Sequence, residues 1–238
     1  MLTRDQIKRL VPRAVRDQLR RGAFKIRAKR SSDLDALAIY FGTDKSPRGH
    51  NYTPLYRKHL GPRRKTICRM LEIGVGGTTP FDGYETLAGG QSLHMWSRYF
   101  PNATILGIDI YAKSVSGPRI RFEQGSQSDS DFLQRISRNY GPFDLVVDDG
   151  SHIGEDIVAS FNVLWDAVAP GGFYVIEDLE VAHHPDWGGG PPGTPAPAVE
   201  MLKAKLDDTL RRWDDPSQPP IAGLHIYGEI AFLEKAST

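Results

Sequence analysis

The segment Leu71-Glu72-Ile73-Gly74-Val75-Gly76-Gly77 decides the fold, because an apolar run ends there in closely spaced glycines. Glycine has no Cβ, so the backbone at Gly74 and Gly76 can pass close to a bound molecule. Several nucleotide cofactors are bound by such a turn, and the glycines alone do not separate them. Glu72 narrows the choice of cofactor, since the fingerprint of dinucleotide-binding proteins needs no acid inside the end of the strand. Asp109 ends the next predicted strand, where a carboxylate can accept hydrogen bonds from both hydroxyls of a ribose.

From residue 66 onward, strand-like apolar runs alternate with helical patterns. The predicted strands are Thr66–Ile73, Ala103–Ile110, Arg119–Gln124, Phe143–Val147, Gly172–Ile176, Gly223–Tyr227 and Ile230–Glu234. The predicted helices are Ser92–Phe100, with Ser92 as its N-cap, Asp129–Asn139, Ile153–Val168 and Val199–Trp213. Core strands that are apolar on both faces and separated by helices are typical of a parallel sheet covered on both sides. We therefore predict an α/β, Rossmann-like fold with a mostly parallel seven-stranded sheet and an antiparallel edge near the end of the chain.

Four acids follow two neighbouring strands of the predicted sheet, Asp148 and Asp149 after the fourth strand and Glu177 and Asp178 after the fifth. Asp149 and Glu177 are 28 residues apart, the length of one strand–helix–strand unit, so the two strand ends should be neighbours. Converging carboxylates repel one another unless a cation neutralises them, and neither motif contains Lys or Arg. Because oxygen ligands favour hard ions over zinc, the pattern predicts a Mg²⁺ or Mn²⁺ site.

The glycine motif and its downstream acid resemble the E-x-G-x-G pattern of the class I methyltransferases. Further motifs resemble the metal-dependent sugar O-methyltransferases of macrolide-antibiotic and mycobacterial-polysaccharide pathways. These motifs are Phe41-Gly42-Thr43-Asp44-Lys45, His50-Asn51-Tyr52-Thr53-Pro54, Gly89-Gly90-Gln91-Ser92-Leu93-His94-Met95-Trp96, Asp148–His152 and Glu177-Asp178. The resemblance covers roughly residues 35–182. It implies S-adenosylmethionine as methyl donor, a divalent metal ion, and a sugar-containing acceptor that is methylated on a hydroxyl.

The resemblance also implies a role for each residue that matches the family's motifs. The implied cofactor-binding residues are Tyr52, Glu72, Gly74, Gly76, Ser92, Asp109, Gln127 and Asp149. The implied metal ligands are Asp149, Glu177 and Asp178, and His152 is the implied general base. Glu72 could equally orient backbone groups from behind the pocket, and Asp148 could face the cofactor or support its neighbours. In the family, the segment with Tyr52, Tyr56 and the preceding Thr43-Asp44-Lys45 folds over the cofactor; without that resemblance, it would be interpreted as an aromatic helix cap that packs on the sheet.

The implied chemistry is consistent with the residue types. A sugar hydroxyl is a poor nucleophile near neutral pH, and a divalent ion that binds it lowers its pKa. His152 could then remove the proton, since imidazole keeps a neutral fraction near its ordinary pKa of about 6.5. A catechol-like phenol or another vicinal diol is an alternative acceptor. An NAD-dependent oxidoreductase is a less favoured alternative, because Glu72 and the clustered acids argue against it, and a non-catalytic binding module is a further one.

The N-terminal residues 1–34 are predicted to form a basic helical arm ahead of a methyltransferase domain over residues 35–238. Residues 1–31 hold eleven basic residues and two acids, which gives +9 and leaves −8 on the rest of the chain. The arm could pack on the domain or on a second subunit of a homo-oligomer, or contact an anionic membrane surface or an acidic partner. No nucleic-acid partner is expected, since the chain as a whole has no basic footprint; any such footprint would lie in this arm.

The loop at about residues 180–198 directly follows the predicted metal acids, so it is either an acceptor lid or a disordered connector. Trp187 could stack on a sugar face there, and the neighbouring His183 and His184 are weaker candidates for metal ligands. Cys68 is the single cysteine, and it lies in an apolar run that predicts a buried packing role. An absence of intramolecular disulfides, of long apolar stretches and of an apolar secretory signal leads us to expect a cytoplasmic protein.

Overall fold

The computed structural model describes residues 31–76, 89–191, 193–210 and 221–237. Its helices are α1 (Leu34–Phe41), α2 (Thr53–Leu60), α3 (Gln91–Tyr99), α4 (Ser130–Tyr140), α5 (Gly154–Leu164) and α6 (Pro197–Leu210). Its strands are β1 (Arg69–Ile73), β2 (Thr104–Asp109), β3 (Ile120–Gln124), β4 (Phe143–Asp148), β5 (Val168–Ile176), β6 (Ile221–Ile226) and β7 (Ala231–Lys235). Short 3₁₀ turns lie at Gly61–Arg63, Leu179–His183 and Pro185–Trp187.

The seven strands form one sheet in the order β3-β2-β1-β4-β5-β7-β6. Strands β1 to β5 run parallel, and β7 is antiparallel to both of its neighbours. Ile73 of β1 aligns with Asp148 of β4, which in turn aligns with Ile176 of β5. The carboxyl ends of these three strands therefore meet at one edge of the sheet. The predicted mostly parallel α/β sheet with antiparallel pairing at one end is confirmed.

Helices cover both faces of the sheet, and each face has its own apolar core. In β4, Leu145 and Val147 belong to the core beneath α1, α2 and α3, whereas Val146 belongs to the core beneath α4, α5 and α6. Successive side chains of a strand point to opposite faces, so a strand between two helical layers needs apolar residues at consecutive positions. This requirement explains the unbroken apolar run that the sequence shows in β4.

The boundary between α5 and β5 differs from the prediction by four residues on each side. Helix α5 ends at Leu164 rather than Val168, and β5 begins at Val168 rather than Gly172. Val168 pairs with Phe143 of β4, and an irregularity in the ladder precedes the pairing of Leu145 with Phe173. The apolar run before Pro170 suits a helix and a buried strand equally well. The pairing with β4 decides in favour of the strand.

Two predictions about single residues are wrong. Ser92 is not the N-cap of α3, because the helix begins at Gln91 after Gly90, and the Ser92 hydroxyl instead donates to the Glu72 carboxylate. Cys68 is exposed, because it lies just before β1, which begins at Arg69. Its backbone N–H donates to the side chain of Asp144 near the start of β4. Neither side chain lies where the local apolar pattern alone would put it.

The predicted basic arm lies outside the described residues, apart from its last few positions. The described chain starts just before α1, whose N-cap Asp33 accepts a hydrogen bond from the Asp35 backbone N–H. Among the helices of the described ranges, none combines the length and the apolar character that crossing a membrane requires.

Candidate active site

A cavity of about 470 Å³ opens beyond the carboxyl ends of the parallel strands. It lies where β2 and β4 diverge on either side of β1, which is where open parallel sheets bind ligands. Its volume falls in the range of small-molecule sites. The predicted site residues that line it are Gly74, Gly76, Asp109, Gln127, Asp149, His152 and Asp178.

The glycine turn after β1 shows why each glycine is needed. Gly74 has φ +82°, and a Cβ there would lie 1.8 Å from the carbonyl oxygen of Asp149. Gly76 has φ +63°, and a Cβ there would have no described heavy atom within 4 Å. Gly74 therefore lets β1 and the end of β4 approach each other, whereas Gly76 leaves space at the cavity wall.

Asp109 joins the end of β2 to this turn. Its two carboxylate oxygens accept hydrogen bonds from the backbone N–H groups of Val75 and Tyr111, at 3.0 and 2.8 Å. The Lys113 ammonium lies 3.7 Å from Asp109 Oδ2. The carboxylate is thus fixed at the cavity wall in an orientation set by the backbone.

Gln127 and Asp148 form a support behind the cavity. Gln127 Nε2 donates to Asp148 Oδ1 at 3.1 Å, and Gln127 Oε1 accepts from the Ser151 N–H at 2.7 Å. Asp148 is buried and also accepts hydrogen bonds from the hydroxyls of Ser160 and Tyr174. Burial raises the pKa of Asp148 to about 6 in spite of these donors. Of the two roles that the sequence left open for Asp148, the geometry favours that of a supporting residue.

Glu72, Ser92 and Tyr52 are described residues of the predicted cofactor set that do not line the cavity. Glu72 is fully buried and accepts hydrogen bonds from Ser92 Oγ at 2.8 Å and Trp96 Nε1 at 3.2 Å. Burial raises the pKa of Glu72 to about 7, although the nearby Lys45 lowers it. Glu72 and Ser92 therefore stabilise the strand end from behind.

Lys45 supplies the cation that neither acidic motif contains. Its side chain is 1% exposed, and its ammonium donates to Asp149 Oδ2 and Glu177 Oε2, both at 2.5 Å. Glu72 Oε1 lies 3.7 Å from the same ammonium. Burial alone would lower the pKa of Lys45, but the carboxylates of Asp149 and Glu177 raise it well above its ordinary value. Lys45 is thus a charged lysine among three acids.

Glu177 is held on both carboxylate oxygens, by Lys45 on Oε2 and by the Tyr56 hydroxyl on Oε1. It is 1% exposed, and burial raises its pKa above the ordinary value of a glutamate, although Lys45 acts in the opposite direction. One ammonium cannot neutralise the three acids around it. A divalent ion beside these acids would stabilise their charged forms, which burial and mutual repulsion otherwise disfavour.

Asp149, His152 and Asp178 also line the cavity and converge on one another. One ligand atom from each residue lies within 4.8 Å of the others. His152 Nε2 is 3.5 Å from Asp178 Oδ2, and the Tyr52 hydroxyl donates to Asp178 Oδ1 at 2.6 Å. The predicted ligand Glu177 lies beside this group, turned toward Lys45 and Tyr56.

Left-handed backbone conformations are concentrated at this group. His152 and Asp178 have φ values of 58° and 57°, and Asn51, next to Tyr52, has φ 59°. These are the non-glycine residues with positive φ in the described ranges. Such conformations cost about 1–3 kcal/mol each, and they cluster at functional sites, where the surrounding structure enforces them. The left-handed backbone at His152 and Asp178 therefore supports this group as a candidate functional site.

The sequence reasoning missed the roles of Asp44 and Lys45. Asp44 lines the cavity, and Lys45 lies between the acids of β4 and β5. Both belong to the motif Phe41–Lys45 that supported the resemblance, but nothing local to that motif shows that it faces strand ends more than 100 residues later. The hydrogen bond from Tyr56 to Glu177 depends on the same long-range contact.

The segment after Asp178 contains two 3₁₀ turns. Trp187 is half-buried, with its ring packed edge-on against His184 at 5.0 Å between centroids. His183 and His184 are exposed, and the described Asp149–His152–Asp178 group does not include them. The acceptor-lid role of residues 180–198 stays a prediction.

The order of the sheet, the glycine turn after β1 and the acid at the end of β2 define the Rossmann-like fold of the class I methyltransferases. No protein-family model matches the chain. The chain is 42% identical over 217 residues to mycinamicin VI 2''-O-methyltransferase of Micromonospora griseorubida, a match that covers 87% of this chain and 53% of that enzyme. It is 40% identical to 8-demethyl-8-(2-methoxy-alpha-L-rhamnosyl)-tetracenomycin-C 3'-O-methyltransferase of Streptomyces olivaceus, over 87% of this chain and 54% of that enzyme.

A solved structure gives the same relationship. The chain superposes with a TM-score of 0.77 and 43% identity on the MycE methyltransferase in complex with Mg, SAH and mycinamycin VI, over 86% of this chain and 54% of that one. The resemblance to sugar O-methyltransferases that the sequence predicted is therefore confirmed. The chain spans about half the length of the curated relatives it matches.

Proposed function

We propose that this chain is an S-adenosylmethionine-dependent and Mg²⁺-dependent O-methyltransferase that acts on a hydroxyl of a sugar. The observation that carries the proposal is the convergence of Asp149, His152 and Asp178 in the same cavity that Gly76 and Asp109 line. The names of the relatives support it, since they describe O-methyltransferases of sugar-bearing natural products. A polysaccharide acceptor has no comparable support among these relatives.

The cavity has the features that S-adenosylmethionine requires. Gly76 leaves open space beside the backbone, and Asp109 presents a fixed carboxylate where a ribose could bind. We assign cofactor contacts to Gly74, Gly76, Asp109 and Gln127, which all line the cavity. Glu72 and Ser92 act from behind it, and Tyr52 acts through Asp178.

The acids have the features that a divalent ion requires. They offer carboxylate oxygens, which Mg²⁺ and Mn²⁺ prefer, and Lys45 supplies a single positive charge between Asp149 and Glu177. We assign the ion to Asp149 and Asp178 together with Glu177. When bound, S-adenosylmethionine supplies an activated methyl group, and the ion makes a neighbouring hydroxyl more acidic.

His152 is the residue we assign to proton removal. Its ring lines the cavity and is 25% exposed, so a hydroxyl in the cavity can reach it. Asp178 Oδ2 lies 3.5 Å from Nε2 and can orient the ring and stabilise its protonated form. Tyr52 in turn fixes the Asp178 carboxylate. General-base catalysis of this kind contributes about 10²–10⁴-fold in rate.

The proposal is tested by incubating the purified chain with methyl-labelled S-adenosylmethionine and a panel of acceptors. Mycinamicin VI and rhamnosyl glycosides represent sugars, and catechols represent the alternative acceptors. We expect transfer to a sugar hydroxyl that stops with EDTA and returns with Mg²⁺. Transfer to catechols alone would show that the acceptor is a phenol rather than a sugar. Full activity in EDTA would show that the reaction does not need a divalent ion.

Several features of the whole protein stay predictions. The basic arm, a homo-oligomer and a cytoplasmic location rest on the sequence, and the division into residues 1–34 and 35–238 does so as well. We include them in the proposal because none of them conflicts with the described site.

A further inference from the structure

Lys45 is rigidly placed among the acids, although it comes from a connection between two helices. Its backbone carbonyl accepts a hydrogen bond from the Thr53 N–H at 3.2 Å, and its own N–H donates to Thr43 Oγ1 at 3.4 Å. The side chain is 1% exposed, so its position is set by packing as well as by charge. Such a buried ammonium cannot withdraw into solvent without opening the segment.

The ammonium occupies oxygens that the divalent ion would need. Asp149 Oδ2 and Glu177 Oε2 each bind Lys45 Nζ at 2.5 Å. The remaining oxygen of Glu177 accepts the Tyr56 hydroxyl. Each Glu177 oxygen therefore already accepts one hydrogen bond, so an ion that binds Glu177 must either displace Lys45 or Tyr56 or use the remaining lone pair beside that donor.

We propose that the Lys45 ammonium competes with the divalent ion for Asp149 and Glu177, and so holds the acids together when the ion is absent. This inference rests on the proposed function for the identity of the metal ligands. An ion that displaces the ammonium breaks two ion pairs. An ion that binds beside it, through Asp149 and Asp178, meets the repulsion of a fixed positive charge. By either route, Lys45 weakens ion binding and stabilises the ion-free protein.

Glu72 gives the displaced ammonium a place to move. Its Oε1 lies 3.7 Å from Lys45 Nζ, so a small shift brings the two into direct contact. Glu72 is itself anchored by Ser92 and Trp96. Glu72 is therefore the third carboxylate partner of Lys45, beside the proposed metal ligands Asp149 and Glu177.

The test is Mn²⁺ binding to the full chain, measured by electron paramagnetic resonance of the free ion without any methyl donor. Lys45→Met keeps the length of the side chain and removes its charge. We expect its Kd for Mn²⁺ to fall at least about tenfold. The repulsion between the ion and a positive charge about 4 Å away in a partly buried site is larger than the free energy of a tenfold change in Kd. We also expect its melting temperature without Mn²⁺ to fall. A role in packing alone would lower stability without tightening ion binding.

Two control variants isolate the charge at this position. Lys203→Met removes the same charge from the exposed face of α6, where Lys203 pairs with Glu200, and its Kd should equal that of the wild type. Lys45→Arg keeps the charge and should bind Mn²⁺ no more tightly than the wild type does. A Lys45→Arg protein that binds as tightly as Lys45→Met would overturn the proposal.

The outcomes separate this proposal from the proposed function. If the wild type binds Mn²⁺ and Lys45→Met binds it equally or more weakly, the competition is wrong and the metal site stands. If neither protein binds Mn²⁺, the metal site fails and the competition fails with it. Should Lys45→Met not fold alone, refolding with Mn²⁺ decides, since the proposal requires that the ion restores the fold.

Discussion

His152 has a role that a single substitution can isolate. Because its ring lines the cavity and contacts Asp178 without filling a core, His152→Ala should leave the fold and S-adenosylmethionine binding unchanged. Methyl transfer should fall by about 10²–10⁴-fold, the usual contribution of a general base. Calorimetry with S-adenosylhomocysteine checks binding, and single-turnover transfer checks chemistry. Undiminished transfer would exclude His152 as the base.

Glu72 predicts a dependence of stability on pH. Its pKa is about 7 in the folded chain against an ordinary value of 4.5. Between these values the folded state holds a proton that the unfolded state has released, so raising the pH through this window lowers the free energy of unfolding. Glu72→Gln cannot titrate and keeps an acceptor for Ser92. Its stability relative to the wild type should therefore increase from pH 4.5 to 7 by up to about 3 kcal/mol and then level off.

Urea unfolding at a series of pH values measures this difference. Glu200→Gln, on the exposed face of α6, makes the same charge change away from the site and serves as the control. If the free energies of unfolding of the wild type and Glu72→Gln change with pH in parallel, the Glu72 carboxyl does not cause the pH dependence of stability.

At the scale of elements, the glycine turn after β1 separates packing from ligand binding. Gly74→Ala would place a Cβ 1.8 Å from the Asp149 carbonyl, so it should displace the end of β4 and lower stability. Gly76→Ala meets no described atom within 4 Å and should cost only about 1–2 kcal/mol for its left-handed backbone. Because Gly76 lines the cavity, we expect the added methyl group to crowd the ligand and to raise the Kd for S-adenosylhomocysteine at least about tenfold.

Melting temperatures and calorimetry on both variants distinguish the two roles. A Gly76→Ala protein that binds S-adenosylhomocysteine as the wild type does would place the cofactor elsewhere in the cavity. Loss of the fold in Gly76→Ala but not in Gly74→Ala would reverse the assignment of the two glycines.

The elements that the sequence predicted well are those whose signals are local. The strands β1 to β4 were predicted from apolar runs, and the acids that end β4 and β5 follow from the same runs. The predicted end of α5 was wrong, because Val168 suits a helix or a strand, and only its pairing with Phe143 of β4 decides for the strand. Ser92 was assigned to a cap because its partner Glu72, twenty residues earlier in the chain, is not visible from the helix pattern.

At the scale of the whole molecule, the topology explains why the site forms. The strand order reverses at β1, so the turns after β1 and β4 lead to opposite faces and leave a crevice between them. The segment from Asp44 to Tyr56 then covers one side and brings Lys45 and Tyr56 to the acids. The sequence predicts the crevice and its acids, and the family resemblance implies a covering segment, but no local pattern specifies the contact between residues 45 and 149.

The same topology predicts that the divalent ion stabilises the entire fold. Asp149 and Asp178 follow different strands and come together only in the folded chain, so an ion that needs both binds the folded state alone. At an ion concentration of about 100 times Kd, mass action adds about 2.7 kcal/mol to the free energy of unfolding. For a chain of this size that corresponds to a rise in melting temperature of about 5–10 °C. Asp178→Asn should lose most of this rise, whereas Asp208→Asn, an equal charge change on exposed α6, should keep it. Differential scanning fluorimetry over a Mg²⁺ titration measures the shift, and an equal rise in Asp178→Asn would mean that the ion acts on the general charge of the protein rather than on these acids.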